Sequence, residues 1–354
     1  MFVYDPRIAR NRSSLYAYAP SVIRSGERDY VFSCHNNSPG EIKDSIFRFT
    51  RDRTSGLMSA PRQVLAAAES CRWDGYHHCD PSVVKGRFGY GGRNWAYAMF
   101  YTGNSVNRSR LNLIGVAFAD DLEAEEWVSY PYPVIKHCAV PLDPLDPSRL
   151  RPSSERAARA PGAATAEEIW GIGQPSAINL ERDTGRLLLA YTVGGSRRTL
   201  GEYCWIDLSD LDRALVVSAA RSITPRGLTD PQHVVLRNFD LLYDAARDEF
   251  LITRDLLPSS AVSPTFLSSA IQIATIPRRQ FFHAADPAAS WRVLATITAE
   301  QLAAHRAHDS GWLRDEYGHR PPGPLTVAVS ACHEGPSRAE LWTSRICFVE
   351  GLRE

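Results

Sequence analysis

Four consecutive positions, His77, His78, Cys79 and Asp80, bring two imidazoles, a thiol and a carboxyl together, and Pro81 then turns the chain into the apolar pair Val83 and Val84. Such groups suit metal ligation, acid–base catalysis or hydrogen bonding to a polar ligand. Neighbours on a strand point to opposite faces, so His77 and His78 diverge and only His78 and Asp80 share a side. A third metal ligand such as His233 or His308 follows no regular ligand spacing, so no metal is expected. His78 is expected to hydrogen-bond at a pocket, and Asp80 is the candidate for acid–base work at a pKa raised by partial burial. A second gathering, "HDSGWLRDEYGHRPPG", holds His308, Asp309, Arg314, Asp315 and His319 beside Gly311 and Gly318. It reads as a loop at a ligand-binding face, with a plain solvated loop as the equal alternative. "ACHEG" sets Cys332 beside His333 and Glu334, but sequence neighbours on a strand diverge, so no cysteine nucleophile is expected. "GYGGRNW" lacks the lysine and the following helix of a phosphate loop, and no cofactor is expected.

Most elements that could position these groups are strands. The runs "YVFSC", "YAMFYTG", "LLLAYTV", "EFLITRD" and "LTVAVSA" are β-branched or aromatic and are bounded by Gly, Asp, Arg or Pro. The clearest helical period is "TAEQLAAHRAH", Thr298 to His308, with Thr298 as cap and Leu302 facing inward. A unit recurs along the chain: "YAPSVIRSGERDYVFSC" from Tyr18, "CDPSVVKGRFGYGGRNWAYAMFYTG" from Cys79 and "GQPSAINLERDTGRLLLAYTV" from Gly173 share a Pro-Ser start. "NFDLLYDAARDEFLITRD" from Asn238 is a fourth copy without the proline, and "DSGWLRDEYGHRPPGPLTVAVSA" from Asp309 is a loose fifth. Repeated sheets of about four short strands are what a propeller packs radially. The expectation is therefore an all-β chain, a single five-bladed β-propeller domain over 1–354 with short helical insertions. An inserted Pro-, Ala- and Arg-rich loop spans about 139–168.

Composition excludes several function classes. Forty basic and forty acidic side chains in 354 residues cancel, so no global field draws nucleic acid. No cationic segment leads into an apolar core near the start, and no 18 apolar residues run together, so neither a standard leader nor a membrane span is expected. Seven cysteines without a C-x-x-C pair point to reduced thiols and a cytoplasmic setting rather than a disulfide framework. Oligomeric state is not readable.

"DPSVV" before "YAMFYTGNS" and "IGVAFADDLEAEEW", then "GQPSAI" before "LLLAYT", resemble the five-bladed propellers of glycoside hydrolase family 43 and its relatives. The similarity is clearest over Ala19 to Thr192. The resemblance implies a pocket at one mouth of the central channel, with a general base from the first blade, an aspartate that tunes the acid from the second, and a glutamate acid from the third. Asp80 matches the second position. Ala19 and Gln174 stand at the first and third, where neither can exchange a proton; Asp5 is a possible substitute base, and Glu167 or Glu168 a possible acid. Asp240 is placed as the fourth blade's equivalent of Asp80. Trp73, Tyr76, Trp170, Trp312 and Tyr317 offer flat faces for a sugar ring, or else brace blade packing.

The function expected is a glycoside hydrolase-like propeller acting on or binding a sugar or sugar-like small molecule. Asp80 is its central acid, with His78, Gln174, Asp240, Trp73, Trp170, His308, Asp309 and Arg314 around the ligand. The alternative is a non-hydrolytic member, either a ligand-binding pseudoenzyme or a biosynthetic cyclase or isomerase. A protein-interaction propeller would instead require a dry, apolar top face.

Overall fold

The computed structural model describes residues 2–4, 16–36, 43–67, 72–105, 112–136, 141–143, 146–150, 169–195, 198–229, 236–256, 267–333 and 344–352. Among these, all strands but one hairpin fall into five antiparallel units of four or five strands, each leading outward from an inner strand. β1 (Phe2–Tyr4) comes first in the chain and joins the last unit. The first unit is β2 (Tyr16–Ser25), β3 (Arg28–Asn36), β4 (Ser45–Asp52) and β5 (Arg62–Leu65). The second is β6 (His77–Tyr90), β7 (Arg93–Asn104), β8 (Leu113–Ala119) and β9 (Val128–Ser129). A hairpin of β10 (Pro141–Asp143) and β11 (Asp146–Leu150) lies within the expected insertion, whose other residues fall outside the described ones.

The third unit is β12 (Ile169–Ile178), β13 (Arg186–Gly195) and β14 (Arg198–Asp207), edged by β15 (Val216–Val217) and β16 (Arg221–Ser222). The fourth is β17 (Asp240–Asp244), β18 (Glu249–Leu256), β19 (Ala270–Pro277) and β20 (Arg292–Thr298). The fifth is β21 (Arg306–Asp315), β22 (Leu325–Cys332) and β23 (Ser344–Leu352), with β1 antiparallel on its outer edge. β2 and β21 pair in parallel, Val22 opposite Leu313, and join the first and fifth units. The inner strands β2, β6 and β12, the segment leading into β17, and β21 all reach one central cavity, so the chain has the expected all-β propeller architecture.

The apolar runs form strands buried on both faces because each unit is packed between two others. The core is accordingly divided. Ile23, Phe32 and Ile46 of the first unit meet Val83 and Met99 of the second, and Val84, Phe100 and Phe118 meet Leu187, Leu189 and Ile206 of the third. Leu188 and Tyr203 meet Leu241 and Ile252, Leu251 and Ile271 meet Trp312 and Val327, and Val31 and Phe49 meet Leu313 and Phe348.

Two sequence expectations are corrected. The helix over Thr298 to His308 is a single 3-10 turn at Glu300–Leu302, with Leu302 buried as expected, and Arg306 onward is strand. β pairing with β22 outweighs the local helical period there. Among the described residues the short α-helix is α1 (Arg278–Phe282), which buries Phe281. The cysteines are not all free: Cys34 and Cys79 form a disulfide between β3 and β6, while Cys204, Cys332 and Cys347 are buried thiols.

Candidate functional site

Where each inner strand reaches the cavity, one non-glycine residue takes the left-handed conformation: Ala19, Asp80, Gln174, Asn238 and Asp309, with φ of 50°, 48°, 53°, 46° and 43°. Four of them interrupt the pairing of inner and second strand, a bulge that re-aims a side chain. Left-handed backbone costs a non-glycine residue free energy of order 1 kcal/mol or more, so its recurrence at one level in five strands needs compensation. Part of it is hydrogen bonding to the strained N–H. The Ala19 N–H donates to Ser330 Oγ at 3.1 Å, Gln174 to Thr102 Oγ1 at 2.8 Å, Asn238 to Gln174 Oε1 at 2.9 Å and Asp309 to Asp255 Oδ1 at 3.1 Å.

Two residues further along each strand, a second ring ties unit to unit. Ser21, Ser82 and Ser176 accept N–H bonds from Val83, Ala177 and Leu241 of the following unit, and Asp240 accepts one from Trp312. The fifth position is Gly311, where a Cβ would stand 1.9 Å from the Pro20 carbonyl oxygen across the parallel junction. The Arg314 guanidinium lies beneath this ring, donating to Ser21 Oγ, Ser82 Oγ, the Ala177 carbonyl and Asp240 Oδ1 at 2.9 to 3.3 Å. Below it the turn after β21 crosses the far end. Glu316 and Tyr317 carbonyls accept from Lys85 and Asn179, Gly318 from Tyr243, and Arg320 Nη1 pairs with Asp244 at 2.9 Å.

The cavity left above measures about 350 Å³ including its open mouth, and it is lined by Ala19, Asp80, Gln174, Asn238, Asp240 and Asp309 with their neighbours. Burial pushes the Asp80 carboxyl up to about 8; Asp309 and then Asp44 add to this, while Thr102 and His308 oppose it. Burial thus favours the protonated form of Asp80. Asp309 is held differently: His308 Nε2 lies 3.0 Å from its carboxylate, and His308 Nδ1 lies 2.7 Å from Asp255. Burial works against charge on His308, but Asp309 and Asp255 outweigh it and bring the imidazole up to about 10. That cation offsets the two carboxylates around it. Asn238 Nδ2 closes the group by donating to Asp255 at 2.7 Å.

A further buried carboxyl stands behind Asp80. Asp44, ahead of β4, accepts from Tyr16 at 2.5 Å and from Tyr18; burial brings it up to about 7 against the hydrogen bonds of Tyr16, Tyr18 and Asn36. His77 Nδ1 lies 3.5 Å from it, and burial lowers that imidazole to about 3. A neutral His77 thus serves as acceptor for the Asp44 N–H at 3.2 Å.

Of the residues expected at the ligand, the structure brings Asp80, Gln174, Asp240, Asp309 and Arg314 to the cavity, with His308 beside Asp309. It does not bring His78 or Trp73. His78 is buried on the other side of β6, 3.2 Å from Asp74 and against the Tyr101 ring, and Trp73 stacks on Tyr101 between the first two units. Alternation along β6 sends His78 away despite its spacing from Asp80, because the bulge at Cys79–Ser82 breaks the period between them. Trp170 is half-buried beside Gly173, and Trp312 is wholly buried, donating to the Asp240 carbonyl. The fourth equivalent of Asp80 is Asn238, two residues before Asp240, which belongs to the Ser21, Ser82, Ser176 level. The His308 to His319 segment is not one loop at the ligand face. It is the strand that runs from the cavity to the sealed end, so Asp315 and His319 lie opposite the mouth. Asp5, Glu167, Glu168 and His233 lie outside the described residues.

No protein-family model matches the chain, and no curated protein matches it. Solved structures do. The catalytic domain of a Coprinopsis cinerea family 62 α-L-arabinofuranosidase aligns with a TM-score of 0.59 at 11% identity, over 98% of this chain and 96% of that one. A family 43 glycoside hydrolase from Xanthomonas citri gives 0.58 at 11% identity, over 98% and 90%. The Podospora anserina α-L-arabinofuranosidase, solved in complex with cellotriose, gives 0.57 at 10% identity, over 96% and 92%. At such identity the likeness is one of fold, and the propeller is the fold shared with these glycoside hydrolases.

Proposed function

We propose that this chain is a sugar-active propeller, each unit forming one of five blades, which holds a saccharide in the cavity and cleaves a glycosidic bond there. The observation that carries the reading is the placement of two carboxyls, Asp80 and Asp309, from the second and fifth inner strands in one cavity in unlike settings. Glycoside hydrolysis asks for one carboxyl that gives a proton to the leaving oxygen and one that stays ionised to activate water or attack carbon. Asp80 fits the first role, its proton retained by burial. Asp309 fits the second, its charge matched by the His308 imidazolium. Ala19 at the position implied for the base, and Gln174 at that for the acid, are then no obstacle; Gln174 instead offers its amide to ligand hydroxyls while Oε1 holds Asn238.

The test is turnover of a panel of aryl glycosides and oligosaccharides by wild type, Asp80→Asn and Asp309→Asn. Each substitution is expected to lower kcat by about 10²–10⁴-fold, as for loss of a general acid or base. A wild type that binds saccharides by calorimetry but turns over none would reject cleavage. It would favour the second reading, a binding protein or a repurposed cyclase or isomerase, for which Ala19 and Gln174 in place of carboxyls are the supporting observation. The buried disulfide weakens the thiol argument for a cytoplasmic setting, since such bonds persist in oxidising compartments.

A further inference from the structure

The junctions between neighbouring inner strands share one plan, and one departs from it. At four of them the N–H of the left-handed residue meets an oxygen, from Ser330, Thr102, Gln174 or Asp255. At the junction of the first and second units it meets sulfur: the Asp80 N–H points at Cys34 Sγ at 3.0 Å. That sulfur is bonded to Cys79, the residue before Asp80, whose own Sγ stands 3.4 Å from Asp80 Oδ1. The Cα atoms of the pair are 5.1 Å apart, within the span a disulfide bridges without moving the backbone. Both cysteines are buried, packed with Tyr16, Tyr18 and Ala19, the last of which lines the cavity.

Sulfur is a weak acceptor, so the hydrogen bond here is the poorest of the five while the strain at Asp80 is the same. A covalent link between β3 and β6 supplies the restraint that an oxygen acceptor supplies elsewhere. It also fills the seam behind Asp80 on the side of the first unit.

We propose that the Cys34–Cys79 disulfide is a positioning element for Asp80, holding its left-handed backbone, shielding its carboxyl on the side of the first unit and keeping it aimed into the cavity. Its effect on turnover rests on the reading of Asp80 as the acid of the site; its effect on Asp80 itself does not. The groups that face Asp80 are Asp309 and His308 from β21, Asp44 from ahead of β4, Tyr18 from β2, Thr102 from β7 and Cys79 beside it. None of these is changed in charge by removing the bond.

The experiment is a carboxyl-carbon NMR titration of the full chain labelled at aspartate, with the Asp80 signal assigned by its loss in Asp80→Asn. Wild type, the double variant C34A/C79A and the double variant C34S/C79A are compared, each checked for folding by its melting transition. In C34A/C79A the Asp80 midpoint is expected to fall by about one pH unit as water enters the seam, since burial is the main cause of its elevation. C34S/C79A, which restores an oxygen acceptor like Ser330 or Thr102 without the bond, is expected to recover part of that shift. An unmoved midpoint in C34A/C79A would overturn the proposal, even with a lower melting temperature, because the bond would then be a general staple. Full recovery in C34S/C79A would overturn it too, since an acceptor alone would suffice. If C34A/C79A fails to fold, the same midpoint is read in C34S/C79A against wild type, where a fall supports the proposal and no change refutes it. A shifted midpoint in a protein inert on every saccharide would leave the positioning role standing and reject the cleavage reading alone.

Discussion

Asp80 and Asp309 share a cavity, yet what surrounds each is different. Burial dominates at Asp80, while the His308 imidazole stands between Asp309 and Asp255 at 3.0 and 2.7 Å. His308→Gln keeps the ring volume roughly but removes the cation between Asp255 and Asp309. Leaving buried carboxylates without their partner costs about 3–5 kcal/mol, to be read from denaturant unfolding. The same variant is expected to move the Asp80 titration upward, because His308 is one of the groups that lowers it. A downward move would show that His308 and Asp80 do not sense each other. The residues of this site that could be named from the chain were those in the inner-strand string: Asp80 and Gln174 by their place before proline, His308 and Asp309 by their density with other ionisable groups. Asp255 and Asp44 were not legible. They reach the site from a second strand and from the segment ahead of a third, and no local pattern says that a carboxylate at the end of "EFLITRD" will meet a histidine of another unit.

Strand identity followed from composition, because a blade buried on both faces leaves long β-branched and aromatic runs with turn residues between them. Register was harder. Proline marks the left-handed position in three units, but in the fourth and fifth Phe239 and Ser310 follow it, and without that marker Asp240 was read two residues out of step with Asn238. The helical period over Thr298 to His308 misled for a different reason: its last three residues, Arg306 to His308, belong to an inner strand, whose partners lie on β22. Elements also set where substitution is least tolerated. At Gly311 the missing side chain admits the Pro20 carbonyl, and neither atom lies on a flexible arm. Gly311→Ala is expected to lose about 3 kcal/mol or more of unfolding free energy, a core overpacking effect at a strand junction. A change under about 0.5 kcal/mol would mean that the parallel junction yields.

At the scale of the molecule the buried ionisable groups give stability a defined pH dependence. Asp80 and Asp44, raised from 3.8 to about 8 and about 7, lose their contribution as pH climbs across those windows, and His308, raised from 6.5 to about 10, loses its own above neutrality. His35 and His77, lowered from 6.5 to about 3, contribute in the opposite sense, their stability lost as pH falls through that range. Below pH 6.5 the two tendencies oppose one another; above it only the first remains. The melting temperature is therefore expected to vary little between pH 5 and 6.5 and to fall steadily toward pH 9.5, with a shallower fall in Asp80→Asn. A melting temperature that rises from pH 7 to 9 would contradict the placement of these protons. Arg314, the cation at the axis, ties four units to its own, and Arg314→Leu is expected to lower stability by about 3–5 kcal/mol by stranding Asp240 and the serines it bridges.

The turn that carries Glu316, Tyr317 and Gly318 across the far end, with the Arg314 guanidinium above it, makes the central passage a blind well and not a tunnel. Whatever enters must leave by the same doorway. A polymer cannot be reeled through the axis, so a chain reaches Asp80 and Asp309 only by dipping an end or a side branch into the well. On the proposed cleavage reading, a piece released at the bottom has to climb out before the next can descend, which would make its departure a natural throttle on the cycle.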